Sequence, residues 1–212
     1  MASSFPGAID SFTDPLSGSA LNSPSHSAQH ADLNDAAEKI ETYMGLVKVI
    51  PTAVSNGTLS ATGTVTIGSA VSTVTVTNAF SALYDNYKIL IQNTNCSTLC
   101  AVRLQLSSST GSTYSTANMN IPYSSATITT EVASNTTLWS IGTGQGLTSV
   151  TLDLISPFLA TDSQVMAQSA TDTFVSWRSG RDSADISNAT FILSLTGGTM
   201  TGGTIRVYGY RN

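Results

Sequence analysis

"TGTVTIGSAVSTVTVTN", residues 62–78, places an apolar side chain at every second position in two short runs. Val65 and Ile67 alternate with threonine in the first, and Val74 and Val76 in the second. Strand side chains point alternately to opposite faces, so this period builds a sheet with one buried face. Threonine suits such a surface because its branched Cβ disfavours a helix interior.

The same texture continues downstream. "YKILIQN" (87–93) sets Ile89 and Ile91 against Leu90, is apolar on both faces, and reads as a central strand. "AVRLQLS" (101–107) puts Val102, Leu104 and Leu106 on one face and Arg103 and Gln105 on the other. "ATITTEV", "TLWSIG", "SVTLDLIS", "DTFVSWRSG" and "ATFILSLTGG" follow at short spacing, and "TGGTIRVYGYRN" closes the chain. "NGT" (56–58) is a turn signal, "GGTMTGG" (197–203) reads as a glycine-rich hairpin connection, and "GTGQGL" (142–147) reads as a turn between strands. About nine or ten strands of this kind predict a β-sandwich, jelly-roll-like, over residues 52–212.

Upstream of Pro51 the pattern changes. Within residues 30–50, Leu33, Ala37, Ile40, Met44 and Val47 are spaced 4, 3, 4, 3, which is the seam of a coiled coil two heptads long. Asp32 and Asp35 are expected near the helix start, facing the positive end of its dipole, and Gly45 near its end. A helix this short is marginal alone, so its stripe needs cover. The strict spacing, with Ile40 at a d position, favours a threefold bundle over packing on the chain's own sheet. Residues 1–29 carry Pro6, Pro15 and Pro24 among many serines and no period. They read as an extended arm whose isolated apolar residues, Phe5, Ile9, Phe12, Leu16 and Leu21, dock on a neighbouring surface.

Composition narrows the function. Charged residues are 10% of the 212, against roughly 25% in ordinary domains, and the net charge is -5. A basic footprint for nucleic acid is missing, and no apolar run approaches a membrane span, so neither partner is expected. The opening MASSFPGAIDSF has no basic n-region or apolar h-region and is not expected to be a secretory leader. A surface rich in hydroxyls and poor in charge suits contact with other subunits or with glycans.

Little in the chain announces chemistry. His26 and His30 are four apart, a spacing that serves metals on helices, yet no acidic partner follows in the metalloprotease pattern and His26 is expected to precede the helix. Glu131, Asp153, Asp162, Asp172, Asp182 and Asp185 are scattered over turns and strand ends, and no motif announces the facing pair that glycoside hydrolysis needs. No nucleophile elbow or phosphate loop occurs. Cys96 and Cys100 lack the ligand count of a zinc site and, in one extended strand, sit too far apart for a disulfide; a tight turn would bring them together. No catalytic residue, metal or cofactor is therefore expected. Two polar loops, "STYSTANMNIPYSS" (112–125) and "VSWRSGRDSAD" (175–185), supply the candidates for a glycan contact: Tyr114, Tyr123, Trp177 and Arg178.

"FPGAIDSFTDPLSGSALNSPSHSAQHADLNDAAEKIETYMGL", residues 5–46, resembles the N-terminal segment of many tailed-phage virion proteins. More loosely, "NYKILIQN", "VRLQLS" and "GGTIRVYGYRN" resemble the C-terminal domains of phage fibre and appendage proteins. The resemblance implies a trimeric structural protein on the virion, assembled in the host cytoplasm, with its arm held by another virion protein. It implies a short fibre or knob, in contact with host surface polysaccharide, or a capsid-decorating protein with no receptor role. A glycan depolymerase is a more distant alternative, since its catalytic groove usually needs a longer chain.

Overall fold

The chain is mainly β with one helix, and the computed structural model describes residues 26–43 and 45–210, side chains at 26, 27, 29 and 41–43 excepted. It divides into two units, residues 1–47 and 48–210. The elements are α1 (His26–Tyr43), β1 (Leu46–Val49), β2 (Ala53–Ser55), β3 (Gly57–Leu59), β4 (Val65–Ile67), β5 (Thr73–Thr77), β6 (Asn86–Leu106), β7 (Tyr114–Pro122), β8 (Thr129–Thr136), β9 (Trp139–Ile155), β10 (Ser163–Ala170), β11 (Phe174–Asp182), β12 (Phe191–Leu195), β13 (Met200–Thr201) and β14 (Thr204–Tyr210).

Helix α1 starts at His26, four residues before the segment that the heptad pattern marks. Propensity is a weak prior, and residues 26–29, which include Ala28, accept helical geometry. The early start corrects two expectations. His26 lies in the helix, and no acidic residue occupies the first turn. Asp32 and Asp35 are therefore too far along α1 to meet the dipole at its N-terminus. Gly45 follows the helix at φ +84°, the left-handed geometry of a C′ stop.

The β elements form one antiparallel sheet along the path β2-β5-β12-β6-β9-β10-β11-β7-β8. Strands β6 and β9 organise it. The sequence divides each into two strands, yet β6 runs 21 residues and β9 runs 17, paired from Asn86↔Ile155 to Leu104↔Trp139. Register shifts at Ile91/Thr94, Cys96/Cys100 and Val102/Arg103 bend the pair without breaking it. "GTGQGL" is thus not a turn but an irregular stretch inside β9, with Gly146 at φ +56°. The N-terminal half of β6 pairs with β14 and the C-terminal half with β12.

The bend brings the N-terminal part of β9 over β10 and β11. A Cβ on Gly180 of β11 would lie 2.6 Å from Cδ1 of Trp139, and one on Gly142 of β9 would lie 2.8 Å from Cβ of Ser169 in β10. The arrangement is consistent with a β-sandwich. Alternate residues fill the space between the layers: Tyr87, Ile89 and Ile91 from β6, Val150, Leu152 and Leu154 from β9, and Ile205 and Val207 from β14, all at 1% exposure or less. Phe80 stacks on Phe191 and meets Tyr87 edge-on, closing one end. Each large side chain removed from water contributes about 1.5–3 kcal/mol.

Cys96 and Cys100 are free and buried at the central irregularity of β6. Both thiols face Gly144, where a Cβ would lie 2.8 and 3.2 Å from their sulfurs, and Gly144 keeps that space open. Burial raises both thiols, Cys100 to about 11.

Candidate functional site

The seam on α1 is open to solvent in the single chain. Leu33 is 60% and Ile40 44% exposed, and Ala37 is also exposed. Ala36, beside the stripe, is the one buried residue among those described in the helix. Val47 is half-buried, while Met44 lies outside the described residues. The arm residues Phe5, Ile9, Phe12, Leu16 and Leu21 also lie outside them.

The candidates for glycan contact separate by strand parity. Both polar loops are largely strand: residues 114–122 form β7 and 174–182 form β11, paired with Trp177 opposite Met119. Successive side chains on β11 therefore point to opposite faces. Trp177 points outward and is 36% exposed, whereas Arg178 points between the layers and is 6% exposed. Tyr114 is fully buried against Trp139, with ring centroids 4.9 Å apart. Its hydroxyl accepts from the Leu106 amide at 3.0 Å and donates to the Ser109 carbonyl at 3.0 Å. Tyr114 and Arg178 are thus interior residues, which corrects their place among surface contacts. Tyr123, just past β7, is 61% exposed.

Arg178 holds the layers together. Its Nη1 donates to Ser140 Oγ at 2.6 Å, and its Nη2 donates to Thr143 Oγ1 at 2.8 Å and Asn120 Oδ1 at 3.0 Å. The Asn118 amide, oriented with its oxygen toward the guanidinium, accepts from Nη1 at 2.8 Å. Burial lowers the Arg178 pKa, and the Glu131 carboxylate opposes that effect.

On the outward face, register assembles a hollow of about 720 Å³. One cross-strand row runs Met119, Trp177, Gln168, Thr151 over β7, β11, β10 and β9. The row below runs Ala117, Ser179, Met166, Asp153. The small side chains of Ala117 and Ser179 leave the depression that the larger ones border. At one end, Lys88 Nζ lies 2.8 Å from Asp153 Oδ1, and the Tyr210 hydroxyl donates to the same oxygen. Partial burial alone would lower the Lys88 ammonium, but its bonds to Asp153 and Tyr210 outweigh that and hold it above its ordinary value. Burial and the neighbouring Asp153 raise the Tyr210 phenol.

Three further carboxylates have structural partners. Asp162 pairs with Arg181 at 2.6 Å, Asp172 accepts from the Leu147 amide at 3.0 Å, and Asp182 accepts from Thr113 Oγ1 at 2.5 Å. Among the described residues, no group of three or more His, Cys, Asp or Glu is placed to hold a metal ion, and no helix is long and apolar enough to cross a membrane. The hollow was missed as a site from sequence. Its signal was present in the alternation of "SQVMAQSA", which makes β10 and carries Met166 and Gln168 on one face.

Comparison with known proteins finds no matching family model and no curated protein of significant sequence similarity.

Proposed function

We propose that the chain is a non-enzymatic structural component of a tailed-phage particle. It is a short fibre or knob-like surface protein with a jelly-roll-like β unit displayed on the particle surface. Residues 1–29 anchor it to another virion protein, and three copies associate through the seam of α1. The supporting observation is the exposed stripe of Leu33, Ala37 and Ile40 on a helix with one other described residue buried. At about 1.5–3 kcal/mol per large apolar side chain, covering that stripe in three copies helps offset the cost of ordering the helix. The resemblance of residues 5–46 to phage virion proteins supplies the biological setting.

Analytical ultracentrifugation tests the assembly. The native protein is expected to sediment as a trimer and Ile40→Asp as a monomer. A variant that remains trimeric would move the interface to the β unit, and a monomeric native protein would refute the reading. The capsid-decorating alternative shares this architecture but lacks a receptor role. Particles without the chain would then adsorb to host cells as well as complete ones.

A further inference from the structure

We propose that the hollow on the outward sheet face binds neutral saccharide units, with Trp177 as the stacking platform. This inference rests on the reading of the chain as a surface protein that meets host glycans, and it names the place and the ligand chemistry.

Three features of the face converge on that ligand. The first is an exposed indole on a rigid central strand, flanked across the sheet by Met119 and Gln168. The apolar face of a pyranose ring stacks on such a surface, and an indole held between paired strands loses little freedom on binding. The second is the hydrogen-bonding group set around it. The Gln168 amide offers two donors and an acceptor, and the Thr151 hydroxyl stands beside it in the same row, with Ser179 in the row below. All three side chains are exposed, so a sugar hydroxyl reaches them without opening the core. The third is charge. The face carries Asp153, but Lys88 and the Tyr210 hydroxyl already hold its Oδ1. Ammonium and carboxylate cancel, and the Arg178 guanidinium that also borders the hollow is 6% exposed and turned between the layers, so the outward face suits an uncharged polymer. A volume of about 720 Å³ lies within the range of small-molecule sites. It accommodates a short oligosaccharide rather than a protein segment, and the polar groups spread along its rim match the hydroxyls that ring each sugar.

The test uses the full chain, with intrinsic fluorescence for the native protein, Gln168→Ala and Ile40→Asp, and isothermal titration calorimetry for Trp177→Ala with the native protein beside it. Trp139 is buried and Trp177 is exposed, so a ligand on the outward face perturbs Trp177 alone. The probes are trisaccharides of glucose, galactose, mannose and N-acetylglucosamine, with oligogalacturonate as the anionic comparison. At least one neutral probe is expected to bind saturably and independently of salt. Trp177→Ala should weaken that binding about ten-fold or more, since it removes the surface on which the sugar stacks. Gln168→Ala should weaken it less, and both variants should keep the native melting temperature and sedimentation coefficient. The proposal is overturned if no neutral probe binds, if binding survives Trp177→Ala unchanged, or if the anionic probe binds more tightly. It is also overturned if Trp177→Ala alters the oligomeric state, because the face would then be a subunit contact. Repeating the titration with Ile40→Asp keeps the two readings apart. Sugar binding by that variant depends on the hollow alone, whereas its sedimentation reports on the seam.

Discussion

Helix α1 buries Ala36 among its described residues and leaves Leu33 and Ile40 60% and 44% exposed, whereas β9 alone sinks Trp139, Ile141, Val150, Leu152 and Leu154 to 1% or less. The β unit closes its own core; the helix leaves Leu33, Ala37 and Ile40 of its apolar stripe exposed. The contrast separates two kinds of stability. On the threefold reading proposed above, residues 48–210 fold within one chain, while the helix gains stability from its partners and depends on protein concentration. A perturbation placed in one region should therefore leave the other's observable unchanged.

The largest effect is expected in the β unit. Trp139→Ala removes a fully buried indole that meets Tyr114 edge-on, and it should cost about 3–5 kcal/mol in chemical denaturation, without shifting the stoichiometry of the molecules that still fold. A loss of association at the same time would break the separation of the two regions.

Alkaline pH should produce the next largest effect, again in the β unit. Burial pushes the Tyr114 phenol up to about 12 from an ordinary value of 10.0. The folded state therefore keeps a proton that the unfolded state releases. The stability this group contributes is fully present below pH 10.0 and is lost as pH rises toward about 12, by on the order of 3 kcal/mol. Tyr87, Cys96 and Cys100 shift in the same direction, so the difference between native protein and Tyr114→Phe isolates the share of Tyr114. If the variant and the native protein lost stability equally from pH 10 to 12, Tyr114 would not be the titrating group.

A smaller change belongs to the helix. Gly45→Ala places a Cβ at φ +84°, where side chains are strained, and should cost about 1 kcal/mol. Circular dichroism should show reduced helix, with the β-unit denaturation midpoint unmoved. The smallest expected effect sharpens the comparison most. Ile40→Asp, the seam variant, should alter β-unit stability by less than about 0.5 kcal/mol, as exposed substitutions usually do. A larger change in urea denaturation would show that the two regions share their stability.

Periodicity made much of the fold legible. The faces of residues 102–106 and 205–207, the turn at Asn56 and the stop at Gly45 all follow from local chemistry, and the structure places them so. The stripe on α1 was legible for the same reason, because a 4-3 spacing is written in adjacent turns. The glycan candidates were harder. Tyr114, Tyr123, Trp177 and Arg178 share a composition typical of recognition loops, and composition does not say which way a side chain points. Read as strands, the two loops split, since neighbours on a strand cannot share a face.

By itself, then, the sequence determined that the chain is mainly β, that one short helix precedes the strands, and which residues alternate with which. These depend on φ/ψ preference and on periods of 2 and 3.5, which operate over a few residues. Only the tertiary structure decided that β6 and β9 run unbroken through their irregularities, because a bulge survives when the partner strand continues the ladder across it. It also decided which parity faces inward. Trp177 could stand over the hollow only because Arg178 beside it found Ser140 and Thr143 across the core and Asn120 on the neighbouring β7, and those partners lie 35 to 58 residues away along the chain.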